Sequence, residues 1–247
     1  MATFTLNINS EIATCDSGMD VVFIFDYTGS MSSQIEAVKT GVIDIISTIT
    51  SQSGTNDYRL GLVIADETTS ETNATYANNV EYTSLPTSQR IINAGTLNYQ
   101  WITAMEVMSI NNETTFTTQL NKLNDTLELG NGASGPEPTD LALSKVIETS
   151  LVNNFRSGVA KYIIIITDAS PGGDNDAFNQ LDIDELARLT QICITNSIKI
   201  IVLGAGVNST FNSIYPWKDI ATNSGGSWNV SYDATTIQTE ITNNCSS

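Results

Sequence analysis

The chain has 247 residues, of which 40% are hydrophobic and 15% are charged, a composition that supports one α/β domain with a sizeable core. It carries 27 acidic and 10 basic side chains, so its formal net charge is −17. A surface this acidic repels nucleic-acid phosphates and anionic lipids, which makes nucleic acid and membrane surfaces poor partners, and it attracts cations. The sequence contains no histidine, which excludes imidazole-dependent catalysis and histidine-ligated zinc.

The N-terminal segment predicts an extension of the domain and not a targeting signal. Within residues 1–17, an alternating stretch over residues 3–9 predicts an edge strand or an arm that reaches a neighbouring chain. The first residues lack a basic region and an apolar run of signal-peptide length. No segment approaches the roughly 20 apolar residues of a membrane span. We therefore expect neither a signal peptide nor a membrane span.

The three cysteines are too few for a disulfide framework. Cys193 lies on the apolar side of a predicted helix, which indicates a buried free thiol. Cys15 and Cys245 lie near the two ends of the domain. They either form a disulfide that ties these ends together, which implies an oxidising environment, or remain separate thiols.

Strands and helices alternate along the chain from residue 20 onwards. Continuous apolar runs predict buried parallel strands, and apolar residues at helical spacing predict amphipathic helices. The predicted strands cover residues 20–26, 58–65, 161–167, 197–203 and 227–231, and the predicted helices cover 35–49, 141–152, 183–195, 211–222 and 234–243. This order predicts a Rossmann-like, doubly wound α/β domain over residues 18–247. We expect a mainly parallel sheet with one antiparallel edge strand and helices on both faces.

Residues 66–115 interrupt this alternation as a long polar insertion within the domain. We predict that the insertion contains the antiparallel strand, near residues 97–105. Long loops in compact domains are commonly functional, and aromatic side chains are common at binding hot spots. We therefore expect Tyr99 and Trp101 to contact a partner, with packing inside the domain as the alternative.

Oxygen-bearing side chains follow two predicted strands and occupy one intervening loop. Asp26, Thr28 and Ser30 alternate after the first strand, Asp168 closes a later strand, and Glu137 lies between two prolines. The carboxyl ends of parallel strands meet at one edge of a sheet, so these side chains are expected to converge. An all-oxygen set suits Mg²⁺, Mn²⁺ or Ca²⁺ and not zinc or copper. The alternative for Asp26 is a structural cap of the following helix.

This pattern resembles the von Willebrand factor type A (VWA) family, which includes the I-like domains of integrins, over about residues 18–245. The family's metal-ion-dependent adhesion site (MIDAS) begins with Asp-x-Ser/Thr-x-Ser, which matches Asp26, Thr28 and Ser30. Its last element is an aspartate that closes a hydrophobic strand, which matches Asp168. The resemblance implies that these four residues hold a divalent cation.

The middle element of the family's site is usually a threonine, but it is a glutamate after proline in integrin β-subunits. The sequence around Glu137 is similar to the β-subunit type, so we expect Glu137 to be the ligand, with Thr139 as the alternative. Integrin β-subunits carry two flanking metal sites, whose ligands are replaced here. The positions of those ligands are occupied here by Ser33, Gln34, Gly132 and Ser134. The resemblance therefore supports one metal site.

The resemblance implies a binding module and not an enzyme. A cation with an open coordination position captures an Asp or Glu carboxylate of a protein partner in this family. We expect Tyr27 and Met31, which lie within the motif, to contact that partner together with the aromatic residues of the insertion. An extracellular surface or a virion is favoured over the cytoplasm.

Two other functions compete with this prediction. The chain is alternatively a structural component of a larger assembly, such as a phage virion or a bacterial appendage, in which the VWA-like fold is a scaffold. The N-terminal arm favours this alternative. A phosphatase with Asp26 as its nucleophile is less well supported, because such enzymes need a second acid two positions later, where this chain has Thr28.

Overall fold

A computed structural model of the chain describes residues 15–53, 57–133, 135–173, 177–204, 215–230 and 234–245. Strands and helices alternate along most of these residues. The strands are β1 (Met19–Asp26), β2 (Tyr58–Thr68), β3 (Arg90–Ala94), β4 (Tyr99–Glu106), β5 (Ala160–Thr167), β6 (Ile198–Gly204) and β7 (Trp228–Asn229). The helices are α1 (Ile35–Gln52), α2 (Val80–Thr83), α3 (Glu113–Lys122), α4 (Thr139–Glu148), α5 (Gln180–Thr195), α6 (Tyr215–Asn223) and α7 (Ala234–Cys245).

The seven strands form one sheet in the order β3-β4-β2-β1-β5-β6-β7. Strand β1 lies at its centre and pairs in parallel with β2 and β5. Strand β4 is antiparallel to both of its neighbours, β2 and β3, whereas the other described pairings are parallel. The predicted mainly parallel, doubly wound α/β architecture is therefore confirmed.

The antiparallel strand lies close to where the sequence predicted it, but it is not at the edge of the sheet. The outermost strand on that side is β3, which pairs with β4 through residues 90–94 and which the sequence did not predict. Most of β3 is only half-buried, so it lacks the continuous apolar run that marked the central strands. The insertion over residues 66–115 thus supplies two strands, α2 and the first turn of α3, and its first three residues complete β2.

The sheet separates two hydrophobic clusters, because alternate side chains of each strand point to opposite faces. Phe23 and Phe25 of β1 pack on the face covered by α1, α3 and α7. Val22 and Ile24 pack on the face covered by α4, α5 and α6. Burial on both faces explains why the central strands are continuous apolar runs, since each large side chain contributes roughly 1.5–3 kcal/mol when it leaves water.

Several further predictions can be compared with the described residues. Cys193 is a buried free thiol, as expected. Cys15 is disulfide-bonded and nearly fully buried, and the side chain of Cys245 lies outside the described residues. The predicted N-terminal arm is also outside them up to residue 14. No helix among the described residues is both long and apolar enough to cross a membrane.

Candidate metal centre

Strand β1 delivers Asp26 to the carboxyl edge of the sheet, where its side chain is fully buried. One carboxylate oxygen, Oδ1, accepts hydrogen bonds from the Thr28 main-chain nitrogen at 3.1 Å and from Thr28 Oγ1 at 2.7 Å. The other oxygen, Oδ2, accepts one from Thr167 Oγ1 of β5 at 2.8 Å. The neighbouring strand and the turn after β1 therefore hold this carboxylate in a single orientation.

The predicted motif residues form a continuous series of oxygen contacts. Thr28 Oγ1 lies 3.2 Å from Ser30 Oγ, which in turn donates a hydrogen bond to Asp168 Oδ1 at 2.9 Å. Ser30 lies in a short 3-10 helix, Gly29–Ser33, which turns the chain from β1 towards α1. The structure thus brings Asp26, Thr28, Ser30 and Asp168 together at one point, although 138 residues separate the last two along the chain.

Glu137 and Thr139, the two candidates for the remaining ligand, are both buried at the start of α4. Glu137 is only 6% exposed, and its carboxylate lies beside the Thr28 side chain. Its second oxygen, Oε2, is buried and has no hydrogen-bond partner among the described residues. Thr139 is fully buried, and its hydroxyl likewise has no partner in that part of the chain. Both residues could serve as a ligand, so the choice between them remains a prediction.

Two acidic residues that the sequence did not indicate also lie at this edge. Asp66 and Glu67, near the end of β2, are both fully buried. Asp66 Oδ1 accepts a hydrogen bond from the Gly132 main-chain nitrogen at 3.1 Å. The backbone of Gly130 packs so closely on the Asp66 carboxylate that any larger residue would overlap it. The signal that could have revealed Asp66 is the one that revealed Asp26 and Asp168, an acid after a buried apolar run.

The carboxylates of this edge disfavour one another's ionisation. Burial, followed by the charge of Asp168, raises the pKa of Asp26 to about 6. Burial is also the main reason that the pKa of Asp66 rises to about 7. Burial and the charges of Asp26, Glu67 and Asp66 raise the pKa of Glu137 to about 10. None of the ion pairs in the described residues involves Asp26, Asp66, Glu137 or Asp168, so no basic side chain described there compensates this charge.

The donor set suits a hard divalent cation only if hydroxyl groups take part. Among the described residues, no three Asp, Glu or Cys side chains are arranged to hold an ion by themselves. The series of contacts from Asp26 to Asp168 runs through the hydroxyls of Thr28 and Ser30, which are oxygen donors of the type that Mg²⁺ and Ca²⁺ accept. The residues present therefore fit such an ion through a mixed set of carboxylates and hydroxyls.

The predicted partner-contact residues are largely part of the core, which corrects the sequence-based prediction. Tyr27, Met31 and Trp101 are at most 2% exposed, and Tyr99 is half-buried. The Tyr27 hydroxyl donates a hydrogen bond to the Leu127 carbonyl at 2.6 Å. The rings of Tyr27 and Trp101 each pack against the buried ring of Tyr76 at 5.9 Å between centroids. These three side chains anchor the insertion and the motif to the sheet, and they do not face solvent.

Comparisons with known proteins show the fold and nothing finer. No family model matches the sequence, and no curated protein matches it. Among solved structures, the open conformation of the pilus adhesin SpaC from Lactobacillus rhamnosus GG is 15% identical, with a TM-score of 0.53 over 92% of this chain and 29% of the adhesin. Proximal thread matrix protein 1 from the mussel byssus is 13% identical, with a TM-score of 0.53 over 94% of this chain and 48% of that protein. The chain thus spans about a third to a half of these structures.

Proposed function

We propose that the chain is a VWA-like binding module that captures a carboxylate of a protein partner through a divalent cation. Asp26, Thr28, Ser30 and Asp168 would hold Mg²⁺, or Mn²⁺ or Ca²⁺ in its place, together with Glu137 or Thr139. The observation that supports this most strongly is the continuous series of oxygen contacts, of 2.7 to 3.2 Å, that links Asp26 to Asp168.

The burial of the candidate ligands indicates how the site would work. Asp26 and Thr28 are buried, whereas Ser30 is exposed, so the site meets solvent on the Ser30 side. Because two of the donors are neutral hydroxyls, a cation held there would keep part of its charge and attract an incoming carboxylate. The net charge of −17 concentrates cations near the surface and repels acidic partners at long range. Capture would therefore depend on short-range coordination and on salt.

We propose binding rather than catalysis because of the state of Asp26. A phosphatase-type nucleophile needs a carboxylate oxygen that can reach the substrate. Both oxygens of Asp26 instead accept hydrogen bonds, from Thr28 and Thr167, and the side chain is fully buried. Thr28 stands where such an enzyme needs its second acid.

A scaffold role in a larger assembly is the second candidate. The similar solved structures are a pilus adhesin and a matrix protein of byssus threads, which supports adhesion or structural assembly at a surface. In that role the partner would be another structural subunit, and the cation would only stiffen the loops. Partners recovered on the immobilised chain in Mg²⁺ but not in a chelator would favour cation-dependent capture, and partners retained in the chelator would favour the scaffold.

Thermal unfolding with and without Mn²⁺ or Mg²⁺ tests the metal site directly. An ion at about 100 times its Kd stabilises the folded chain by about 2.7 kcal/mol. For a domain of this size, that energy raises the Tm by roughly 5 to 10 °C. We expect this shift in the wild-type chain and in Asp44→Ala, which removes an exposed acid of α1, but not in Asp26→Ala. An equal shift in Asp26→Ala would contradict the proposed site.

A further inference from the structure

The two loops that carry the proposed ligands pack directly against each other. These are the loop over residues 136–139, which contains Glu137, and the loop over residues 168–173, which begins with Asp168. The Glu137 main-chain nitrogen donates a hydrogen bond to the Ser170 carbonyl at 2.8 Å. Gly172 lies so close to the ring of Pro136 that a side chain there would overlap it. The positions of Glu137 and Asp168 are therefore mechanically linked.

A carboxylate outside the proposed ligand set holds the far end of the second loop. Asp140 lies in the first turn of α4 and is 5% exposed. Its Oδ1 accepts hydrogen bonds from the Gly173 main-chain nitrogen at 3.1 Å and from the Leu141 nitrogen at 2.8 Å. Trp217 of α6 holds the near end, since its Nε1 donates to the Ala169 carbonyl at 3.0 Å. The loop is thus anchored by side chains from two helices.

We propose that Asp140 is a positioning residue of the metal site, which sets ion affinity by holding Gly173 and so fixing the spacing between Glu137 and Asp168. This inference rests on the proposed function. Groups that orient metal ligands from the second layer typically change metal affinity by about 10- to 100-fold when they are removed. Asp140 is such a group, because it touches the loop of one ligand and is part of the helix that follows the other.

The surroundings of Asp140 favour a role in which its acceptor oxygen, and not its negative charge, holds the Gly173 loop. Asp140 lines a cavity of about 390 Å³ together with Ser144, Gly173, Asp182 and Glu185. A negative charge on Asp140 beside the buried acid Asp182 is unfavourable. Asparagine offers the same acceptor oxygen to Gly173 without the charge. We therefore expect Asp140→Asn to keep the Mn²⁺ affinity that Asp140→Ala loses. The cavity also leaves the loop room to move once the contact is removed.

Direct titration with Mn²⁺ tests this role. We expect Asp140→Ala to weaken Mn²⁺ binding by about tenfold or more. Asp140→Asn is expected to bind within about twofold of the wild-type chain, and Asp184→Ala, which removes an exposed acid of α5, is the charge control. Mn²⁺ binding by Asp140→Ala that equals the wild-type value, or Asp140→Asn as weak as Asp140→Ala, would overturn the inference. No Mn²⁺ binding by the wild-type chain would instead overturn the proposed function on which it rests.

If Asp140→Ala does not fold, Gly173→Ala tests the same contact between Asp140 and Gly173 from the other side. A Cβ atom on Gly173 would lie 2.6 Å from Asp140 Oδ1 and 2.9 Å from Leu141 Cβ, so Gly173→Ala must push the loop away from α4. We expect a similar loss of Mn²⁺ affinity. Because both substitutions break the same contact between Asp140 and Gly173, the Mn²⁺ affinity of the double variant should be little lower than that of Asp140→Ala alone. Fully additive losses would contradict a shared contact.

Hydrogen exchange in a chelator provides a measurement that needs no metal. In Asp140→Ala, the amides of residues 169–173 should exchange faster than in the wild-type chain, while those of β5 should not change. Unchanged exchange at the Gly173 amide would show that Asp140 does not hold the loop, and this would overturn its positioning role whatever the Mn²⁺ titration shows.

Discussion

Asp20 and Asp26 lie six positions apart in β1, and both are fully buried, but their environments are opposite. Burial alone would raise the pKa of Asp20, but hydrogen bonds from Arg59 and Arg156 outweigh it and lower the pKa below its usual value. Asp26 lies near Asp168, and burial, followed by the charge of Asp168, raises its pKa. One end of the strand therefore contains a compensated charge, and the other contains a charge that a bound cation would compensate.

The unpaired charge at the carboxyl edge predicts a stabilising substitution. Asp66→Asn keeps the oxygen that accepts from Gly132 and removes a buried charge next to Asp26 and Glu137. In a chelator at about pH 8, where the Asp66 carboxylate is ionised, we expect the variant to be more stable than the wild-type chain by roughly 2 kcal/mol, which corresponds to a Tm increase of about 4 to 8 °C. Differential scanning calorimetry would measure this shift.

The control for this substitution is Glu71→Gln, which neutralises an exposed acid in the loop after β2. An exposed change of this kind usually alters stability by less than about 0.5 kcal/mol. A Tm of Asp66→Asn at or below that of Glu71→Gln in the chelator would show that the carboxylate of Asp66 is compensated in the folded chain.

Between elements, one buried lysine connects two helices on the same face of the sheet. Lys39 of α1 is 8% exposed, and its Nζ donates to the Leu123 carbonyl at 2.9 Å and to Glu36 Oε1 at 3.0 Å. Leu123 is the residue that follows α3. The ammonium group thus satisfies a carbonyl at a helix end, where main-chain acceptors lack partners within the helix.

Removing this ammonium group should destabilise the fold. Lys39→Met keeps most of the apolar stem and leaves the Leu123 carbonyl buried without its donor, which costs about 1 to 3 kcal/mol. Urea unfolding would measure the loss. Lys161→Met is the matched control, because Lys161 also donates to a main-chain carbonyl, that of Asn196 at 2.8 Å, but in an exposed position. Equal decreases in the free energy of unfolding in the two variants would show that the contact of Lys39 with the end of α3 does not stabilise the fold.

At the scale of the whole molecule, the amino edge of the sheet contains a compact ion-pair cluster that joins distant parts of the chain. Asp20 accepts hydrogen bonds from Arg59 Nε at 2.9 Å, from Arg156 Nε at 2.9 Å and from the Arg156 main-chain nitrogen at 2.8 Å. Arg156 also pairs with Asp57. The cluster therefore links β1, β2 and the segment before β5.

The lowered pKa of Asp20 predicts how this cluster responds to acid. A carboxyl group whose pKa is lower in the folded than in the unfolded chain stabilises the fold above its unfolded pKa of about 4, and that contribution is lost as pH falls through the folded value. We expect Asp20→Asn to be less stable than the wild-type chain by about 3 kcal/mol at pH 7. The difference should shrink below about pH 4.

Chemical unfolding of the two chains at pH 7 and at pH 3 measures this dependence, and the comparison cancels the titration of the other carboxylates. Asp57→Asn provides a control, because Asp57 pairs with the same Arg156 but is partly exposed. The decrease in the free energy of unfolding should therefore be smaller in Asp57→Asn than in Asp20→Asn. A difference between Asp20→Asn and the wild-type chain that stays constant from pH 7 to pH 3 would contradict the lowered pKa.

The sequence alone predicted the order of the central elements, the mainly parallel sheet and the acids at the ends of β1 and β5. These features follow from local patterns, since burial on both faces requires continuous apolar runs and a helix on a sheet requires an apolar stripe. The strand ends were recognisable because Asp26 and Asp168 directly interrupt such runs.

Only the tertiary structure decided that Gly132 contacts Asp66, that Tyr27 and Trp101 are core residues and that β3 forms an edge. These features depend on contacts between segments far apart in the chain, such as that of Gly132 with Asp66. Local spacing carries no record of such contacts, because a polar loop residue or an isolated aromatic has the same sequence pattern whether a distant segment covers it or not.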